Sequence, residues 1–261
     1  MQKGQLMIDL HTHILPGIDD GAQDMMDALE LAEIAAESGT EALVVTPHSN
    51  QTGRYENYNT KEFREIYFEF CKALEKECIS LKVYPGMEIH VTSDITEKIE
   101  KKSFVGLNHS RYYLVEFAFD EEPDEIRKGL KNILEAGKIP MIAHPERYYC
   151  VQDFPAMVYE WIQMGCRTQI NRGSIFGKFG RSEERAADYM IENGLATCIA
   201  SDAHGPYVRT TYMRDVKEYL LKYYGEDAAY WLLKGNPERI IHDKNIPVHG
   251  RVPERKIHIF R

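Results

Sequence analysis

Leu6-Met7-Ile8-Asp9-Leu10-His11-Thr12-His13 is an apolar run that ends in two histidines. In an extended segment residues i and i+2 point to the same face, so the imidazoles of His11 and His13 converge just past a strand end. Neutral ring nitrogens suit a borderline transition metal. One His-x-His pair specifies little, but the arrangement recurs along the chain. Val44-Val45-Thr46-Pro47 ends in His48, and Val83-Tyr84-Pro85-Gly86-Met87 ends in Glu88. Tyr113-Leu114-Val115 ends in Glu116, and Ile139-Pro140-Met141-Ile142-Ala143 ends in His144. Cys198-Ile199-Ala200-Ser201 ends in Asp202, with His204 two residues on.

These runs predict strands near 6–10, 42–46, 81–87, 111–117, 139–143, 167–171 and 196–201. Helical patterns lie between them. Met25, Leu29, Ala32 and Ala36 recur at helical spacing within Asp24 to Ser38, and Gly39 is a fitting terminator. Lys61 to Glu77, Pro123 to Ala136, Asp153 to Met164 and Ser182 to Asn193 read the same way. Pro123 suits a first helical turn, and Gly137, Gly165 and Gly194 suit helix ends. Seven strand–helix alternations imply an α/β fold with a parallel sheet closed into a barrel. Barrel chemistry sits at the C-terminal ends of the strands, where the candidate ligands fall.

A length of 261 residues is normal for one α/β barrel. No linker, composition break or repeat divides it, so residues 1–261 read as a single domain. The formal net charge of −9 argues against a nucleic-acid partner, which favours a basic face. No apolar run approaches the roughly 18 residues of a membrane span. The chain enters a strand pattern at once, without a signal-peptide core, and its five scattered cysteines read as reduced thiols. The expected location is therefore cytoplasmic. The tail from Lys244 to Arg261 holds five basic residues and one acidic residue. It reads as a packed C-terminal arm, with steering of an acidic partner or a homo-oligomer contact as alternatives.

Nine residues are candidate metal ligands: His11, His13, Asp20, His48, Glu88, Glu116, His144, Asp202 and His204. Each alone is more often structural. Together at one rim, the carboxylates would repel one another unless cations were present. Arg147 and Arg209 follow ligands on the same rim, and a planar guanidinium grips phosphate bidentately. Arg172 and Arg181 are weaker candidates. The polar loop Ser49 to Thr60, with Arg54, Tyr55 and Tyr58, either frames a substrate or is simply solvated. Cys166 and Arg172 fit the Cys-x5-Arg spacing of cysteine phosphatases. That reading fails, because the intervening residues hold no glycine for a phosphate-wrapping loop and favour a strand.

The set His11-Thr12-His13, Thr46-Pro47-His48, Gly86-Met87-Glu88-Ile89-His90, Ala143-His144-Pro145-Glu146-Arg147 and Ser201-Asp202-Ala203-His204 resembles the PHP (polymerase and histidinol phosphatase) family. Within it, the stretch His11 to Gly21, with Gln169-Ile170-Asn171 and Arg209, is similar to bacterial protein tyrosine phosphatases of capsule and exopolysaccharide clusters. Glu116 stands where many PHP relatives carry histidine, which fits that branch. The resemblance implies a distorted seven-stranded (β/α)7 TIM-like barrel with three divalent metal ions. By analogy, His11, His13, Glu88 and Asp202 hold one ion. Glu88, Glu116 and His144 hold a second, and Asp20, His48 and His204 a third. Spacing leaves Asp19 and Asp20 open as the ligand; the family pattern favours Asp20. Manganese is the favoured metal, with iron, zinc, cobalt and magnesium as alternatives. The implied reaction is metal-dependent hydrolysis of phosphotyrosine on a tyrosine autokinase, with Arg147 and Arg209 holding phosphoryl oxygens. Alternatives are a PHP enzyme for a small phosphomonoester such as histidinol phosphate, or a non-catalytic metal-binding module that stabilises a partner.

Overall fold

The computed structural model describes residues 6–247. Nine parallel strands run through it: β1 (Met7–Thr12), β2 (Thr40–Val45), β3 (His48–Ser49), β4 (Lys82–Pro85), β5 (Glu88–His90), β6 (Tyr112–Glu116), β7 (Ile139–Ala143), β8 (Arg167–Asn171) and β9 (Cys198–Ala200). They form two sheets, β1-β2-β4 and β3-β5-β6-β7-β8-β9. Two expected strands are broken. The one over 42–46 spans Thr40–Val45, pauses at Thr46-Pro47 and resumes as β3. The one over 81–87 stops at Pro85 and resumes at Glu88. Proline lacks the N–H a ladder needs. At Gly86 a Cβ would lie 2.8 Å from Val44 Cγ1, so the bend there requires glycine. Beyond the breaks His48 pairs with Glu88, and His90 with Glu116. Thr12 bridges Ala203, and Asp202 N–H donates to His11 C=O at 2.9 Å, so β1 adjoins the segment after β9.

The strands are apolar because both faces are buried. Ile8, Leu10, Val44, Leu114, Met141 and Ala143 pack on one face with Ile240 and Ile241. Met7, Leu43, Val45, Val115, Ile142 and Ile170 pack on the other, against the helices. Fully burying each such Leu or Ile contributes about 1.5–3 kcal/mol.

The helices are α1 (Met25–Ser38), α2 (Lys61–Lys76), α3 (Ile95–Glu100), α4 (Pro123–Glu135), α5 (Tyr149–Asp153), α6 (Val158–Met164), α7 (Arg172–Ile175), α8 (Arg181–Glu192), α9 (Arg214–Tyr223), α10 (Gly225–Tyr230) and α11 (Asn236–Ile241). Asp24 caps α1 by accepting from the Met26 and Asp27 N–H groups, and Gly39 ends it at φ 98°. Thr60 caps α2 by accepting from Phe63 N–H. The helix expected over Asp153 to Met164 begins only at Val158, because Phe154 leaves the helical backbone at ψ 75° and Pro155 opens a 3-10 turn.

No expectation covered α9 to α11, and the segment that follows α11 seals the N-terminal ends of the strands. Arg167, first in β8, donates to Ile246 C=O at 2.8 Å. The Tyr112 hydroxyl at the start of β6 donates to Lys244 C=O at 2.7 Å. The basic tail beyond residue 247 lies outside the described residues. Among those described, no helix is long and apolar enough to cross a membrane.

Candidate metal centre

The opposite ends of the strands carry the candidate ligands. His11 lies in β1 and His13 just after it; His48 opens β3 and Glu88 opens β5. Glu116 ends β6, His144 follows β7, and Asp202 and His204 follow β9. Asp20 comes from the loop after β1. All nine meet. They fall into four overlapping groups, His13–Asp20–His48–His204, His11–His144–Asp202, His11–His13–Glu88 and His48–Glu88–Glu116, with the ligand atoms of each within 4.8 Å of one another.

Glu88 is the hub. Its Oε1 meets His144 Nε2 at 2.8 Å. Its Oε2 lies 3.3, 3.2 and 3.0 Å from nitrogens of His11, His13 and His48. That oxygen is nevertheless buried without a hydrogen-bond partner. Asp202 Oδ1 lies 3.5 Å from nitrogens of His11, His13 and His204. Asp20 Oδ1 lies 3.4 Å from His48 Nε2 and 3.6 Å from His204 Nε2. Burial alone would raise the Glu88 and Asp202 carboxyls. His11 and His48 instead hold Glu88, and His11 and Arg209 hold Asp202, well below the usual carboxylate range. Burial opposes a charge on His48, but Glu88 and Glu116 lift it to about 10. Burial and the neighbouring His13 push His204 down to about 2.

Hydrogen bonds behind the cluster fix where its lone pairs point. The Asp202 carboxylate can only accept, so Asn171 presents its amide nitrogen to Asp202 Oδ2 at 2.5 Å. Asn171 Oδ1 then faces Gln169 Nε2 at 2.8 Å, and Gln169 Oε1 faces His11 Nδ1 at 2.8 Å. His11 must carry its proton on Nδ1. Asp19 imposes the same tautomer on His13, accepting from Nδ1 at 2.8 Å. Once the rings are neutral, as metal ligation requires, the Nε2 atoms of His11 and His13 confront each other as lone pairs 3.1 Å apart, between Glu88 and Asp202. Opposed lone pairs and an orphaned carboxylate oxygen are what a shared cation satisfies. The donor set of imidazoles and carboxylates fits divalent metal ions.

The rim carries the arginines. A cavity of about 210 Å³ is lined by ligands together with Gln51, Arg54, Phe119, Arg147 and Arg209. The Arg147 guanidinium lies between the Phe119 and Phe179 rings, 4.3 and 4.4 Å from their centroids. Arg209 meets Asp202 Oδ2 at 2.5 Å. His144, Asp202 and Arg209 have φ of 35°, 51° and 55°. Such backbone costs on the order of 1–3 kcal/mol per non-glycine residue and clusters at functional sites. Arg54 of the polar loop lines the cavity and lies 3.6 Å from Asp20, whereas the Tyr58 hydroxyl turns away to Asn50.

Other candidates lie elsewhere. Arg172 is held by Asp215 at 2.7 Å, and Arg181 is exposed at the start of α8. Cys166 is buried where β8 begins, and burial pushes its thiol up to about 12. Sequence reading gave no role to Gln51, Phe119, Gln169 or Asn171. For the last pair a signal existed: two amides flank Ile170 in a wholly buried strand, where polar side chains need partners.

Comparison with known proteins agrees with this geometry. The tyrosine-protein phosphatase YwqE of Bacillus subtilis is 35% identical over 254 residues, 97% of this chain and 99% of the relative. The tyrosine-protein phosphatase CpsB of Streptococcus pneumoniae is 35% identical over 92% of this chain and all of its own length. A solved structure from work on YwqE and CpsB, described as unique metal-dependent tyrosine phosphatases, matches with TM-score 0.87 and 34% identity, covering 95% of this chain and 98% of that one. A phosphotriesterase homology protein from Escherichia coli shares the fold alone, with TM-score 0.59 and 9% identity. The model of the family described as capsular polysaccharide synthesis, CpsB/CapC, matches residues 7–242, and the chain belongs to that family.

Proposed function

We propose that this protein is a metal-dependent protein-tyrosine phosphatase that hydrolyses phosphotyrosine on a tyrosine autokinase governing capsule or exopolysaccharide synthesis. The observation that carries the reading is Glu88 Oε2, buried among three imidazole nitrogens with no hydrogen bond of its own. The relatives' names supply the substrate class.

Three divalent ions, manganese by preference, would be held by His11, His13, Glu88 and Asp202; by Glu88, Glu116 and His144; and by Asp20, His48 and His204. When bound they supply Lewis acidity, lowering the pKa of water toward neutrality and offsetting the phosphoryl charge. Asp19 and Gln169 keep the His13 and His11 lone pairs aimed inward, as groups behind metal ligands commonly do. Arg147, stacked between two rings, and Arg209, braced on Asp202, hold non-bridging phosphoryl oxygens. Tyrosinate is a mild leaving group, with a conjugate pKa of about 10, so no strong general acid is required.

The broken strands support a closed barrel of seven strand positions in one domain, with β2–β3 and β4–β5 as interrupted single strands. The free cysteines favour the cytoplasm.

The test compares turnover of a phosphotyrosine peptide and histidinol phosphate by manganese-loaded protein, with metal content measured on the same sample. The peptide should be the better substrate, and chelation should abolish its turnover. Faster hydrolysis of histidinol phosphate would reverse the substrate assignment. Metal-loaded protein inert to both would favour the non-catalytic module.

A further inference from the structure

Beside the phosphoryl cavity lies a second, more open cleft of about 490 Å³, between the loop carrying Asn50, Gln51, Thr52 and Arg54 and the segment Glu116–Phe119. The two spaces share Gln51, Arg54, Glu116 and Phe119 as lining, so they adjoin. On the other side, a third space of about 480 Å³ touches the phosphoryl cavity only through Arg209. Arg209 is pinned there by its ion pair with Asp202, and its guanidinium lies 5.6 Å from the Phe179 ring centroid. The first cleft thus borders the phosphoryl cavity along four side chains, and the third space along one fixed guanidinium.

The first cleft has the chemistry of an aromatic-ring site. Phe119 is half-buried at its junction with the phosphoryl cavity, its ring nearly perpendicular to that of His144 with centroids 5.9 Å apart. Arg54 stands at the same junction on an exposed side chain that already lies over an aromatic ring, 4.9 Å from the Tyr55 centroid. Tyr55 in turn stacks on His48 at 5.5 Å, which ties the loop to the metal centre. Aromatic rings bind by contact with other rings and with guanidinium faces.

Resting on the phosphatase reading above, we propose that this cleft receives the tyrosyl ring of the substrate, with Phe119 and Arg54 as the residues that select aryl over alkyl phosphomonoesters. Phe119 then serves two neighbours, the Arg147 guanidinium and the incoming ring. Selectivity arises beside the phosphoryl cavity and leaves the grip on phosphate itself unchanged.

The test uses two variants of the metal-loaded, full-length protein. Phe119→Leu keeps an apolar contact for Arg147 but removes the ring. Thr52→Leu crowds the cleft without adding a ring, from an exposed position that does not line the phosphoryl cavity. Three quantities are measured: kcat/KM for a phosphotyrosine peptide, kcat/KM for β-glycerophosphate, and inhibition by inorganic phosphate. Both variants should lower the peptide-to-glycerophosphate ratio by about three- to tenfold, the size of an aromatic contact, and the Thr52 variant, remote from Arg147, should keep phosphate inhibition unchanged. An unchanged ratio in both variants overturns the proposal, even if both rates fall. So does wild-type protein that turns over the two substrates equally. Wild-type protein inert to the phosphotyrosine peptide, yet active on other phosphomonoesters, removes the underlying phosphatase assignment instead.

Discussion

Replacing Asp19 and Asp20 in turn separates a ligand from the group that aims one. Asp19 is buried and holds three N–H groups: Oδ2 accepts from His13 Nδ1 at 2.8 Å and His48 N–H at 3.0 Å, and Oδ1 from Gly21 N–H at 2.9 Å. Asp19→Asn keeps one oxygen and turns an NH2 group on at least one of these donors. A hydrogen bond to a charged group is worth about 1.5–3 kcal/mol. That matches the 10- to 100-fold loss of metal affinity typical when a supporting residue is removed. Asp20 reaches His48 Nε2 and His204 Nε2 directly, with its side chain 39% exposed. Asp20→Asn removes the carboxylate from its own group of four, so one ion should be lost. The assay strips the protein with chelator, reloads it at graded free manganese, and measures bound metal and phosphatase activity together. Asp19→Asn should reach wild-type stoichiometry with its midpoint shifted about 10- to 100-fold. Asp20→Asn should plateau one equivalent lower. If Asp20→Asn binds metal like wild type while Asp19→Asn loses an ion, the roles are exchanged and the lone-pair argument at His13 fails.

Metal-free protein should lose stability as pH rises. His48 carries a folded pKa of about 10 against an ordinary 6.5, and His13 is also raised, so their stabilisation is complete below about 6.5 and vanishes as pH climbs through about 10. The melting temperature of chelator-treated protein should fall across that window; a rise would contradict the charge arrangement. Cys166→Ser should leave kcat nearly unchanged while chelation abolishes it, measured on the phosphotyrosine peptide; the reverse pattern would restore a thiol mechanism. Gly21→Ala would place a Cβ 1.9 Å from His13 C=O, so its melting temperature should drop and its metal content fall; a stable, fully loaded variant would refute that contact. Arg147→Ala should weaken inhibition by inorganic phosphate about tenfold or more, read from Ki, and no change would remove Arg147 from the phosphoryl site.

The sequence made the strand ends legible because each apolar run stops at a polar group with a chemical use. His11, His48, Glu88 and His144 could be found from that pattern, and the structure gathers them with the rest. The breaks at Thr46-Pro47 and Gly86-Met87 were less visible, since Pro and Gly within an apolar run do not announce that the chain changes sheet. The helices after Arg214 escaped because much of their aromatic surface is exposed, as at Tyr223 and Trp231, which blurs any apolar stripe. Spacing could not decide between Asp19 and Asp20, because adjacent residues differ in direction, which only the folded loop fixes. Nothing in the sequence singles out Phe119 and Phe179, whose use shows only once Arg147 is seen between them.

The amides between Asp202 and His11 also give the centre a compass. One anion at the far end leaves each neighbour a single way to face, and the last of them tells an imidazole which nitrogen to leave bare. Turn the Gln169 amide over and its NH2 would face His11 Nδ1, moving the ring's hydrogen to Nε2, where a lone pair now points. A site can thus be disarmed from behind its ligands with every donor atom still in place.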